Sequence, residues 1–216
     1  MRVFVKNSVK KEKLFKMDFV DRSIIYRFHQ ERIQMFGEGT IGALGWKSEE
    51  NQIIRFEILS QIGDMTGLSV LDLGCGHGDL CGYLRKKYSD IRYAGIDQME
   101  ELLDIATARY GSLPDTIFYL GDCWSADLPN MDYVLASGLL AYKNSRTDFI
   151  FSMIDRLFAS CRLGTGFNLL KNVHDPEGIL VNHNPQEILN YCRQLSPKVV
   201  LREGYTDDDF TIFIYH

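Results

Sequence analysis

The residues best placed to do chemistry lie in the stretch VLDLGCGHGDL, Val70 to Leu80. Val70, Leu71 and Leu73 form a short apolar strand with one carboxylate, Asp72, inside it. Gly74, Gly76 and Gly78 follow at alternate positions, and a helical pattern begins at Asp79. Glycine has no Cβ, so the backbone can turn tightly there and lie against a bound group. The helix that follows aims its unpaired N–H groups and the positive end of its dipole at the same place. Strand, glycine loop and helix in this order make a cradle for a nucleotide or nucleoside. The same glycines also satisfy a tight strand-to-helix turn that binds nothing.

Two further acids stand at matching places. Asp97 ends the apolar run Ile91 to Met99, one strand–helix–strand unit beyond Asp72, where a carboxylate can accept both hydroxyls of a ribose or cap the next helix. Asp122 follows Gly121 directly after the run Thr116 to Leu120, a place that also suits an ordinary turn aspartate. The glycine spacing is G-x-G-x-G, whereas dinucleotide folds use G-x-G-x-x-G. With the strand acid, it resembles motif I of the class I S-adenosylmethionine-dependent methyltransferases. That resemblance covers roughly residues 48–216 and implies S-adenosylmethionine as cofactor and S-adenosylhomocysteine as product.

Carried over position by position, the resemblance gives Gly74, Cys75 and Gly76 the methionine end of the cofactor, with Asp72 organising its amino group. Asp97 takes the ribose with Gln98 beside it as a further cofactor-binding residue, and Asp122 accepts from the adenine amino group while the Cys123 backbone meets the ring. Ser137 ends the fourth strand beside the cofactor. Arg55 is a candidate partner of the cofactor carboxylate or a surface charge, and Trp46 is a candidate cover. The implied fold is α/β: a three-layer α/β/α sandwich on a seven-stranded, mostly parallel sheet ending in an antiparallel hairpin.

On the acceptor side the residues decide less. His174 and Asp175 follow the fifth strand, where this fold often admits its acceptor, and are the candidate catalytic pair. Tyr142 and His183 are weaker candidates, and His77 is expected to face solvent or cap its helix. Methyl transfer from a sulfonium needs alignment and exclusion of water, and a base helps only where the nucleophile carries a proton. The box [DNS]-P-P-[YFW] of many amino-group methyltransferases is replaced by SGLL after the fourth strand, and no set of metal ligands has convincing spacing. The expected activity is transfer to an O, N or C nucleophile of a small molecule. The alternatives are an RNA or protein methyltransferase recruited by a basic arm, and a cofactor-binding protein without turnover.

The elements that must position these residues can be read from pattern. Residues 1–16 carry Arg2, Lys6, Lys10, Lys11, Lys13 and Lys16 against Glu12, a basic leader. A helix is expected from Asp18 to Gln34 with Ile24, Ile25, Phe28 and Ile33 as its apolar members, followed by the glycine-rich link Phe36 to Trp46. Phe36 and Trp46 either close over a ligand or plug this piece onto the core. Residues 1–47 are therefore set apart as a helical lid or extension and 48–216 as the methyltransferase-like domain. Ser48 is a helix N-cap, Ser145 and Asp148 read as a capping box, and Asn184, Pro185 and Glu187 open a later helix. A fourth strand is read in Met131 to Tyr142, ending at Ser137-Gly138, a fifth over Thr165 to Leu170, and Val199 to Tyr215 reads as a hairpin.

A net charge of −5 disfavours nucleic acid as partner, and no apolar run suits a membrane span. The five cysteines form no C-x-x-C pair, and the N-terminus lacks a secretory core, so a reducing cytoplasm and a monomer or homodimer are expected.

Overall fold

The structure is a computed structural model that describes residues 17–175 and 178–216. The basic leader lies outside the described residues. The strands are β1 (Ser69–Leu73), β2 (Arg92–Asp97), β3 (Thr116–Leu120), β4 (Met131–Ala136), β5 (Cys161–Leu170), β6 (Val199–Arg202) and β7 (Asp209–Tyr215). They form one sheet in the order β3-β2-β1-β4-β5-β7-β6. Strands β1 to β5 pair in parallel, and β7 runs antiparallel to both β5 and β6, which is the expected terminal hairpin. Because β2 and β4 flank β1 on opposite sides, the winding reverses beside β1. A cleft forms at such a switch point, beyond the carboxyl ends of the strands.

The central strands read as near-continuous apolar runs because both faces are covered. Side chains alternate across a strand. Val70, Tyr133, Leu135 and Phe213 therefore share one face with Phe56 and Leu59 of α2 (Glu49–Leu59) and with Leu80 and Leu84 of α3 (Asp79–Lys87). Leu71, Leu73, Val134, Ile212 and Ile214 share the other with Met153, Ile154 and Leu157 of α5 (Phe149–Ala159), and with Ile188, Leu189 and Cys192 of α6 (Pro185–Leu195). Helix α4 (Glu100–Tyr110) completes the crossover from β2 to β3. No helix lies between β3 and β4, where residues 121–130 run as turns, and Ile117, Tyr119 and Leu120 on the edge strand are exposed. None of the described helices is long and apolar enough to cross a membrane.

Two local expectations held as stated, and a third held with shifted ends. The Ser48 hydroxyl accepts the Asn51 N–H at 3.3 Å, and the Asn184 side chain accepts from Gln186 and Glu187 behind Pro185. Helix α1 spans Phe19–Phe36, with the Asp18 carboxylate accepting from Val20. Others did not hold. Ile24 faces solvent while Ile25 and Ile33 are buried. The expected capping box does not open the helix at Ser145: α5 begins at Phe149 with Asp148 as its N-cap, and the Ser145 hydroxyl and backbone N–H both donate to Asp21 of α1. Strand β5 begins at Cys161, before the expected Thr165, since Cys161 pairs with Met131 although the exposed Arg162 and Leu163 give no apolar signal.

Helix α1 and the link after it are packed onto the strand ends. Ile33 and Ala43 share a small core with Met99 and Leu102 at the start of α4, and Ile25 enters the core beneath β4 and β5. Polar ties accompany this packing. Arg22 pairs with Asp122 at 3.2 Å, the Arg109 guanidinium donates to the Gly39 carbonyl at 2.8 Å, and Lys47 pairs with Asp208 at 2.6 Å.

Candidate active site

The cleft at the switch point has a volume of about 1530 Å³ including its open mouth, and residues of α1, the link, the glycine loop and the ends of β1, β2, β4 and β5 line it. Gly74 and Gly76 adopt φ of +76° and +51°, a left-handed geometry that side chains disfavour. The loop they shape is pinned to β2, with the N–H groups of Gly74 and Cys75 both donating to the Ile96 carbonyl at 2.8 and 3.1 Å.

Asp97 clamps the same loop. One carboxylate oxygen accepts the Gly76 N–H and the other the Met99 N–H, each at 2.9 Å. The bond to Met99 closes a turn just before α4, whose N-cap is Met99 itself, and each Asp97 oxygen retains a second lone pair while the side chain lines the cleft. Burial raises its carboxyl, while the N–H groups of Met99 and Gly76 and the nearby His29 oppose the rise. Asp72 is buried too. Burial pushes its carboxyl up to about 7, against the Tyr93 hydroxyl that donates to it at 2.5 Å, with the charges of Asp97 and Asp79 adding to the rise.

Cys123 and Trp124 line the cleft, and the buried indole Nε1 of Trp124 has no hydrogen-bond partner among the described residues. These observations fit a nucleoside carrying an ammonium group. Buried acids await the ammonium and the hydroxyls, a glycine loop admits close approach, and a buried donor is left over. Gln98, Cys75 and Ser137 line the same cleft, and the Ser137 hydroxyl donates to Asn168 at 3.2 Å.

Other sequence candidates fall elsewhere. Asp122 does not line the cleft; its carboxylate accepts from the Trp124 N–H, the Ser125 hydroxyl and Arg22, and it borders a shallow groove with Phe19 and Tyr26. Arg55 reaches the cleft wall, but its guanidinium is taken by a two-pronged pair with Asp209, at 2.7 and 2.6 Å, in place of a cofactor carboxylate. Trp46 lies over that guanidinium at 4.5 Å and against Gly138, forming part of the cleft wall. Phe36 is exposed, packs against Gly42 and lies off the cleft.

His174 and Asp175 do not meet in the cleft. His174 is exposed, and the Asp175 carboxylate accepts the Leu180 N–H at 3.0 Å. Their loop folds back, with the Val181 N–H donating to Ala141 and the Lys143 N–H to Ile179, so that Val173 and Leu180 line the cleft instead. His183 also lies off it, half-buried, with its backbone N–H on the Leu170 carbonyl. His77 is 1% exposed, contrary to the expected solvent position, and burial drives its imidazole down to about 4.

The histidine that does reach the cleft is His29 of α1, with its Nε2 2.8 Å from the Tyr142 hydroxyl. Nothing in the spacing of α1 marks it, although Tyr142 stood among the weaker candidates.

Comparison with known proteins agrees with this geometry. A family described as a methyltransferase domain matches residues 70–160. Rv1506c of Mycobacterium tuberculosis, provisionally named a methyltransferase, is 30% identical over 155 residues, which cover 68% of this chain and 92% of that protein. The magnesium-protoporphyrin O-methyltransferase of Rhodobacter capsulatus is 33% identical over 100 residues, covering 44% of this chain and 42% of the other. Among solved structures, magnesium protoporphyrin IX methyltransferase from Synechocystis with bound S-adenosylhomocysteine superposes with a TM-score of 0.63 at 15% identity, covering 88% of this chain and 93% of that one. Glycine loop, strand acids, sheet order and sequence relatives agree, and the chain belongs to the class I S-adenosylmethionine-dependent methyltransferases.

Proposed function

We propose that this enzyme methylates a small, largely apolar acceptor. The observation that carries the reading is the roof over the cleft. Phe28, Leu44 and Trp46, from α1 and the link, line it together with Leu169, Leu170, Val173 and Leu180 from the far side. A chamber walled in this way suits a compact molecule better than a segment of polymer, and the acidic net charge of −5 agrees. The Rhodobacter relative is named for a porphyrin acceptor, which is a small molecule.

Bound S-adenosylmethionine supplies an electrophilic methyl on a sulfonium that becomes neutral on transfer. The protein's part is placement. Asp72 and Asp97 hold the polar ends, and the apolar roof keeps water from the reacting atoms, so that proximity supplies much of the barrier reduction. The test is transfer of labelled methyl from S-adenosylmethionine by the purified full chain into fractionated metabolites, RNA and protein. Label is expected in the low-mass fraction; label confined to RNA or protein would overturn the reading.

A further inference from the structure

His29 and Tyr142 form a polar pair inside an otherwise apolar part of the cleft, and the cofactor cradle uses neither. His29 is 9% exposed, and its Nδ1 lies 3.4 Å from the Ala43 carbonyl while Nε2 lies 2.8 Å from the Tyr142 hydroxyl. A carbonyl oxygen only accepts, so the ring proton belongs on Nδ1 and Nε2 is the bare nitrogen. The Tyr142 hydroxyl is then the donor within the pair, and its oxygen keeps lone pairs for a third partner. Phe28 packs edge-on against both rings, with centroids at 5.2 and 6.2 Å, and fixes their orientation. A buried hydroxyl aligned on a bare imidazole nitrogen, at the wall of a chamber that must deprotonate or merely hold its acceptor, is arranged for proton transfer.

Resting on the small-molecule reading above, we propose that Tyr142 and His29 are the proton-accepting relay of the reaction, and that the acceptor presents a neutral hydroxyl on an aromatic ring. The rings of Phe28, Trp46 and Tyr142 around the same space suit a flat acceptor. In the step, a lone pair of the acceptor oxygen forms the new bond to the methyl carbon. The carbon–sulfur bond breaks and its electron pair stays on sulfur. The acceptor's proton passes to the Tyr142 oxygen as the proton of Tyr142 passes to His29 Nε2, leaving an imidazolium that later returns its proton to solvent. Tyr142 is the catalytic residue of the pair, and His29 is a positioning residue that acts through it.

The surroundings keep this base in working form. Burial lowers the His29 pKa, so the imidazole is neutral near pH 7. Asp97 at the end of β2 opposes that shift and stabilises the cation once it forms, whereas Arg32 on α1 favours the neutral ring. His77 of the glycine loop is the remaining titratable group that senses His29, and its own lowered pKa leaves it uncharged at neutral pH. Burial holds the Tyr142 hydroxyl protonated, so it relays a proton without ever needing to ionise at rest.

Two measurements test the relay. Nitrogen-15 NMR of the histidine-labelled full chain with S-adenosylhomocysteine, with His29 assigned by its loss in His29→Gln, should show the Nδ1–H tautomer near pH 7. It should also show an Nε2 signal that moves in Tyr142→Phe. An Nε2–H tautomer, or an imidazolium near pH 7, overturns the relay. Turnover is measured at mildly alkaline pH on two probes: 4-methylphenol, which stays largely neutral there, and 4-nitrophenol, which is largely ionised there and needs no base. Tyr142→Phe and His29→Gln should lose about 100-fold or more in kcat/KM on 4-methylphenol, and clearly less on 4-nitrophenol. Equal losses on both probes mean the pair is only structural and overturn the proposal. Wild-type transfer to neither phenol overturns the aromatic-hydroxyl acceptor; the metabolite screen then decides separately whether the small-molecule reading stands.

Discussion

Asp72 carries the clearest pH signature of any single residue. Its carboxyl is pushed up to about 7 in the folded protein, whereas an aspartate in an unfolded chain titrates near about 4. Between these values the folded state holds a proton that the unfolded state has lost. Its contribution therefore makes stability fall as pH rises from about 4 to about 7. A cationic amino group beside Asp72 favours the carboxylate and expels the proton. S-adenosylhomocysteine should thus bind more tightly as pH rises through this window. Calorimetry near pH 6.5 in two buffers of different ionisation enthalpy should show release of up to about one proton, and Asp72→Asn should abolish it. Asp97→Asn should weaken the same ligand by about 1.5–3 kcal/mol, the usual scale for hydrogen bonds to a charged group. Unchanged affinity in a folded variant removes the ribose assignment. Both acids were legible because one strand–helix–strand unit fixes their spacing. His29 was not, since its partner Tyr142 lies 113 positions away and the isoleucines around it dominate the pattern of α1.

At the level of elements, Arg55 shows how a charge at a cleft can be structural. It ties α2 to the start of β7, with side-chain exposures of 13% for Arg55 and 3% for Asp209. Removing one member of a buried pair leaves the other without compensation, a loss of about 3–5 kcal/mol. Urea unfolding of Arg55→Ala should show a loss of that size, and the double change Arg55→Met with Asp209→Leu should recover much of it. A small loss in the single variant would mean that water solvates Asp209 in its place. Strands and helices were largely legible, because buried parallel strands are continuous apolar runs and Ser48 and Asn184 cap locally. Ser145 misled because the helix begins only after Asp148, and a distant carboxylate, Asp21, holds the Ser145 hydroxyl and N–H.

The seven-stranded arrangement followed from strand–helix alternation and the final hairpin, but the attachment of α1 and its link did not. Its ties run from Arg22 to Asp122, from Gln30 to Glu101 and from Lys47 to Asp208, isolated charges and amides whose partners carry no pattern in sequence. We expect this segment to be a cover that opens and closes. Hydrogen exchange over residues 24–46 should slow when S-adenosylhomocysteine and an acceptor phenol bind. Trp46 emission should shift on binding in a Trp124→Phe background. Identical exchange with and without ligands would make the segment a fixed extension.

His29 rides on α1 and Tyr142 on the loop that follows β4, so the two meet only while the segment is seated. Any swing large enough to admit an acceptor pulls the imidazole off the phenol. The door of the chamber and half of its proton path are then the same object. With the door ajar, a bound sulfonium faces incoming water with no relay assembled to activate it. Taken with the relay proposed above, a segment that opens would make the fold an interlock, in which chemical competence exists only in the state from which solvent has been shut out.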